Sequence, residues 1–358
     1  MQEYSTRPGS IGILITVICA TAGFIITKYF MNENLIQYAS LPKTISFKVH
    51  DGAKSGDDSV IFNLPVISKF PIDTFSHETE TKSRVVEENV LFHENPYFPV
   101  WAMLVLVMIT IASGSVPVFV GQVWQLKNNF NLDWKQIAIG IGFAILMVVF
   151  LVLSNSSVRG YYHPPKILED FHILFKNGNL LLGIVVATTV LVLPVITAMF
   201  LIGPASDNLL RDGVNKDNIE AVANKLEILN QSLRSALQVL AVIVVFTVLT
   251  SGTLKETIKG ILEIKGYDIF PTEVSYVYGI FFSLFLCVIY FPIYFYLKQK
   301  YVHLKAIAAG MVELGDKKEK VLEAVDFKTS AFDNLKMALT VLAPLISSFL
   351  PENLHFFK

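Results

Sequence analysis

VWAMLVLVMITIASGSVPVFVGQV, residues 100–123, contains no Asp, Glu, Lys, Arg or His. A run of about 20 mostly apolar residues is long enough to cross the hydrocarbon core of a bilayer as a helix. Only a helix or a closed barrel can satisfy its own backbone polar groups there. Trp101 and Trp124 stand near the two ends of the run. Indole rings favour the headgroup level, so the expectation is an aromatic belt at both faces.

The same pattern recurs outward from this stretch. Upstream, 9–27 is apolar and closed by Lys28. Arg7 before it and Ala20-Thr21-Ala22 inside it imitate a cleavable leader. The apolar run continues past that point through Phe24, Ile25 and Ile26, so the segment reads as an uncleaved anchor. Downstream, 136–153, 180–202, 237–249 and 274–297 complete about six transmembrane helices. A last apolar run, 337–350, contains Pro344 and is short for a crossing, so an interfacial or re-entrant segment is expected there. The fold class expected is an all-α polytopic membrane protein with a small β-rich segment between the first two spans.

Composition agrees. A soluble domain carries about 25% charged residues; this chain carries 16%, with a mean hydropathy of +0.53. A formal net charge of -1 gives no basic field for nucleic acid. The partner implied is the lipid bilayer. Cys19 and Cys287 both lie in apolar runs and make neither a disulfide framework nor a four-ligand zinc site. Orientation follows the Lys and Arg of the flanking loops. Lys298, Lys300, Lys305, Lys317, Lys318 and Lys320 in the 298–358 tail place both termini in the cytoplasm. The membrane is the plasma or inner membrane if the source is bacterial.

Residues 31–98 form the largest segment between spans and read as an extramembrane cap. Ile45, Phe47 and Val49 alternate with Ser46, Lys48 and His50, a half-buried strand pattern. Val60, Phe62, Leu64 and Val66 repeat it, with Pro65 suggesting an edge strand, and 85–92 is a third candidate.

Residues 216–240 carry a different signal. Ile219, Val222, Leu226, Leu229, Leu233, Ala236 and Leu240 follow a 3-4 spacing, a heptad seam. Asp217 or Asn218 would cap its start, and the helix runs on without a breaker to about Gly252. One reading is an oligomer seam on a cytoplasmic stalk, or a lever into the membrane. The other is a stripe packed on this same chain, on a tail helix around 321–332.

Within 100–297 the spans hold no ionisable residue in their central parts, which argues against proton-coupled relays. They do hold Pro117, Pro194 and Pro292, each expected to kink its helix. Ser113, Ser115 and Gln122 accompany Pro117; Thr188 and Thr189 precede Pro194; Thr247 and Thr250 close the fifth span. Together these suggest a hinge or polar path between helices. Gly140 and Gly142, with Ala138, give the third span a small face for close helix contact. Glu169 and His172, three apart in the loop after that span, are a weak metal pair. There is no His-Glu-x-x-His, no Gly-x-Ser-x-Gly and no phosphate-binding glycine motif, so neither an enzyme nor a cofactor is expected.

These features point first to a non-enzymatic, oligomeric channel-like unit or membrane effector gated through the cytoplasmic helix. A monomeric transporter of a neutral or apolar solute is the alternative, and a scaffold recruiting a partner through its cap or tail is a third.

Overall fold

The computed structural model describes residues 10–34, 44–50, 59–68, 97–161, 180–211, 213–215, 218–264, 273–310 and 331–350. Their order is α1 (Ser10–Asn34), β1 (Thr44–His50), β2 (Ser59–Ser68), α2 (Tyr97–Asn129), α3 (Trp134–Tyr161), α4 (Leu180–Arg211), α5 (Ile219–Ile261), β3 (Leu262–Ile264), α6 (Glu273–Gly310) and α7 (Ala331–Ser348). Five helices, α1, α2, α4, α5 and α6, are long and apolar enough to cross a membrane. The apolar part of α3, Trp134–Phe150, is slightly shorter. Many of their large apolar side chains point outward, including Ile13, Ile26, Ile139, Leu146 and Val190. Such a surface would be an aggregation liability in water and is satisfied in lipid.

Helices consecutive in the chain run antiparallel, and small residues set the closest approaches. A Cβ built on Gly23 of α1 would lie 2.3 Å from Ser113 Oγ, and one on Gly114 would lie 3.3 Å from Ala20 Cβ. The Ser113-Gly114 notch in α2 is thus filled by α1. Gly140 of α3 faces Leu201 of α4 at 2.9 Å, whereas Gly142 faces open space. Backbones approach where side chains are absent, the usual device for helix contact in lipid.

The turns gather at one end of the bundle. Between α2 and α3, Asp133 caps the start of α3, and its N–H donates to Gln136 Oε1 at 2.9 Å. Asn131 there adopts a φ of 50°, a conformation Asn tolerates better than most residues. Asn208 on α4 donates to the carbonyls of Phe130 and Asn131, both at 3.1 Å, and ties this turn to α4. Between α4 and α5, Asn215 and Asn218 exchange hydrogen bonds: each backbone N–H donates to the other's Oδ1, at 2.8 and 3.0 Å. This reciprocal box precedes α5. Asp217 lies outside the described residues.

The opposite end carries a three-stranded sheet of order β1-β2-β3. β1 pairs antiparallel with β2 from Thr44↔Pro65 to His50↔Ser59, and β2 pairs with β3 from Val66↔Ile264 to Ser68↔Leu262. Two expectations change here. The strand containing Pro65 is central rather than an edge. Proline is tolerated because it sits where the ladder with β1 ends and the one with β3 begins. Nor is the 31–98 segment a self-contained β unit, since the third strand comes from the end of α5. The candidate strand 85–92 lies outside the described residues.

One more expectation is corrected. Trp101 is fully buried and stacks on Phe98 with centroids 5.7 Å apart, so it belongs to the core and not to a belt. Trp124 and Trp134 are exposed at the turn end, with Lys127 Nζ 4.7 and 3.8 Å from their ring centroids. The 337–350 run lies in α7 and its continuation. α7 stands antiparallel beside α6, from Tyr290 against Met337 at one level to Tyr276 against Phe349, 4.6 Å between centroids, at the other. Its 18 residues span about 27 Å. This brings Leu350 to the sheet end while Ser10 lies at the turn end, so the described chain ends are on opposite faces of the bundle.

Candidate functional site

The hydroxyls singled out as a polar path are occupied by their own helices. Ser115 donates to the Ala112 carbonyl at 2.7 Å, Thr188 to Ile184 at 2.8 Å and Thr189 to Val185 at 2.6 Å. Thr250 donates to Phe246 at 2.6 Å. Thr247 donates to Ile243 at 2.9 Å and also reaches Met108 Sδ on α2 at 3.3 Å. Ser113 serves the α1 contact described above. Pro117, Pro194 and Pro292 lie inside α2, α4 and α6, each of which continues through its proline; Pro204 and Pro344 do the same in α4 and α7. Of this set only Gln122 keeps a buried polar atom, Nε2, without a hydrogen-bond partner among the described residues. These residues are spread over α2, α4, α5 and α6.

The seam residues are placed differently from a stalk. Ile219, Val222, Leu226, Leu229 and Leu233 are all buried within this chain, four of them at 0% exposure. Their apolar side is filled by the chain's own helices. α5 is 43 residues long, about 65 Å, and passes directly into β3.

Beside that seam, one residue further round α5, runs a second stripe: Ala223, Glu227, Asn230, Arg234, Leu237 and Ala241. The same 3-4 spacing puts them on one face, and this face looks toward α6 and α7. Asn230 is 1% exposed, and neither its Oδ1 nor its Nδ2 has a hydrogen-bond partner among the described residues. Arg234, one turn on, points Nη1 at Asp333 Oδ2 on α7, 3.8 Å away. Its Nε and Nη2 are buried and also lack a partner among the described residues. Glu227, one turn back, accepts a hydrogen bond from the Tyr301 hydroxyl of α6 at 3.1 Å. Tyr290 donates to Met337 Sδ of α7 and stacks on Tyr294, with centroids 5.5 Å apart.

The result is a polar junction where α5, α6 and α7 meet, at the turn end of the apolar zone. Unsatisfied buried polar groups cost about 1–3 kcal/mol each, more when charged. Four such atoms, Nε and Nη2 of Arg234 and Oδ1 and Nδ2 of Asn230, sit on these two adjacent side chains. The sequence contained the signal, since Glu227, Asn230 and Arg234 keep the seam's own spacing.

A second polar group lies nearby on the bundle surface. Lys300 of α6 pairs with Asp207 of α4 at 2.6 Å, and the Tyr296 hydroxyl donates to both Asp207 oxygens at 2.6 and 2.7 Å. With Asp207 40% exposed, this pair adds about 1 kcal/mol at most. It fastens α4 to α6 and presents no unsatisfied group. Among the described residues no cluster of His, Cys, Asp and Glu could hold a metal. Glu169 and His172 lie outside them.

Fold and burial together define the chain as a multi-pass helical membrane protein. Compared with known families, curated proteins and solved structures, it matches none.

Proposed function

We propose that the chain is a membrane carrier for a small polar solute, working as a single chain, with its binding site at the junction of α5, α6 and α7. The observation that carries this reading is Asn230 with Arg234, whose amide and Nε–Nη2 edge meet no hydrogen-bond partner among the described residues. A carrier needs an enclosed point with unsatisfied polar groups, flanked by helices able to move. The prolines inside α4, α6 and α7 supply places where the helical ladder lacks a hydrogen bond. A channel needs a continuous polar lining instead, and the hydroxyls of the spans are spent on their own helices. α5 links the junction mechanically to the sheet, so solute binding would be felt at the opposite face. The Lys-rich end of α6 favours a cytoplasmic turn face, with the sheet as a small cap on the other side.

Light scattering in detergent, followed by solute uptake into proteoliposomes, tests this. The expected result is a mass of one chain and saturable uptake of a small polar solute. An obligate oligomer with ohmic conductance in planar bilayers would replace the carrier with the channel-like unit. A monomer that moves no solute would leave the effector or scaffold readings.

A further inference from the structure

The unsatisfied atoms at the junction specify more than polarity. Arg234 turns Nη1 toward Asp333 and leaves the Nε–Nη2 edge bare. That edge presents two parallel N–H groups, the arrangement that grips two syn oxygens of one anionic group. Asn230, one turn away on the same face, adds a donor at Nδ2 and an acceptor at Oδ1. The free set is thus donors for two or three oxygen lone pairs and one acceptor for a neighbouring N–H or O–H.

Charge narrows the choice. Arg234 brings one positive charge; Asp333 lies 3.8 Å from it, and Glu227 lies two turns back on the same face. With two carboxylates and one cation the junction is already net negative, so a dianion such as phosphate is the least favoured anion. A singly charged carboxylate costs less, and one with a cationic group beside it adds no net charge. Tyr290, which stacks on Tyr294 and donates to Met337 Sδ, belongs to the same meeting of α5, α6 and α7 and offers apolar surface to a short remainder.

We infer that Arg234 and Asn230 form the recognition site for a small carboxylate with a hydrogen-bond donor on the adjacent carbon, an α-hydroxy or α-amino acid. Arg234 holds the carboxylate through Nε and Nη2. Asn230 Oδ1 accepts from the neighbouring hydroxyl or ammonium, and Nδ2 donates to a carboxylate oxygen. This deepens the carrier reading and rests on it for the site's access to solute. The binding itself is testable without transport.

The test is ligand-dependent melting of the purified full-length chain in nanodiscs of phosphatidylcholine. The probes are L-lactate, L-alanine, propionate, lactamide and inorganic phosphate, with a parallel set in phosphatidylglycerol nanodiscs. Lactate or alanine should raise the melting midpoint by about 3 °C or more at saturation. Propionate, which lacks the donor, should do less, and lactamide, which lacks the charge, should do nothing. Arg234→Lys keeps the charge and loses the two-pronged edge, so its affinity should fall about tenfold or more.

Asn230→Leu separates binding from folding. Removing a buried amide that has no partner should raise the ligand-free midpoint, while the lactate or alanine shift is lost. Equal shifts in wild type and both variants would overturn the assignment. So would stabilisation by phosphate or by phosphatidylglycerol alone, which would make the visitor a phosphate or a lipid headgroup. No shift with any probe would mean that the free edges hold only water, and would overturn it too. Binding without uptake removes the carrier and keeps the ligand class. Uptake indifferent to Arg234→Lys keeps the carrier and removes the ligand class.

Discussion

Leu229→Asp should abolish the folded monomer. Leu229 is fully buried on α5, ahead of the apolar stretch 237–249 that crosses the bilayer, so water drives its burial as it would in a soluble core. Truncating such a leucine costs about 2–5 kcal/mol. Placing an unpaired carboxylate there adds several kcal/mol more. The sum approaches the whole stability of a typical domain, about 5–15 kcal/mol. Size-exclusion chromatography in detergent should show an aggregate or no recoverable protein for Leu229→Asp, and a destabilised monomer for Leu229→Ala. If α5 were an exposed stalk between copies, Leu229→Asp would instead give a well-behaved monomer that melts like wild type.

Gly279→Val should lift α7 off α6. A Cβ at position 279 would lie 2.7 Å from Ser348 Oγ, 2.8 Å from Ser348 Cβ and 3.0 Å from the Pro344 carbonyl oxygen. The hydroxyl can rotate away; the other two belong to the α7 backbone or its first side-chain carbon and cannot yield without moving the helix. Displacement would break the bond from the Leu345 N–H to Ser283 Oγ, 3.2 Å, and the contact of Tyr276 with Phe349. Overpacking costs about 1–3 kcal/mol, and lost helix contacts add to it. The junction would also open, because Met337 and Asp333 both arrive on α7. A cysteine placed by Met337→Cys should be alkylated slowly in the parent and rapidly beside Gly279→Val. Equal rates would mean that α7 does not depend on this contact.

Much of this architecture was legible in residue patterns, because hydropathy reports directly on the solvent a helix needs. The runs at 100–123, 180–202 and 274–297 each lie inside one helix, and the alternation at 44–50 and 60–66 coincides with the two paired strands. Pairing partners were not legible. The third strand is three residues at the end of α5, too short for any period to show. The seam of α5 had the spacing of a coiled coil, but spacing alone does not say whether the facing helix belongs to the same chain.

The hydroxyls of the expected polar path are engaged by their own helices. A Ser or Thr in a span can donate to the carbonyl one turn back, as Thr188 does, and then offers little to a passing solute. Trp101 misled because a large aromatic suits a core as well as an interface. Asn230 and Arg234 go unremarked in the sequence reading, although both are costly inside a bundle and their spacing puts them on one face. What the pattern did not reveal was that the guanidinium's paired edge would be left bare.

The placement of α7 against α6 within one chain decides whether the junction exists as described. It is tested most directly by a disulfide between Gly279→Cys and Ser348→Cys, with Cys19→Ser and Cys287→Ser removing the native thiols. The built Cβ of residue 279 lies 2.8 Å from Ser348 Cβ, within about 1 Å of disulfide geometry. In membranes under mild oxidant the pair should close quickly within single chains. Cleavage at a protease site inserted in 311–330 should then leave the two fragments joined until a reductant is added. No bond, or a bond only between two chains, would contradict the fold and the site built on it.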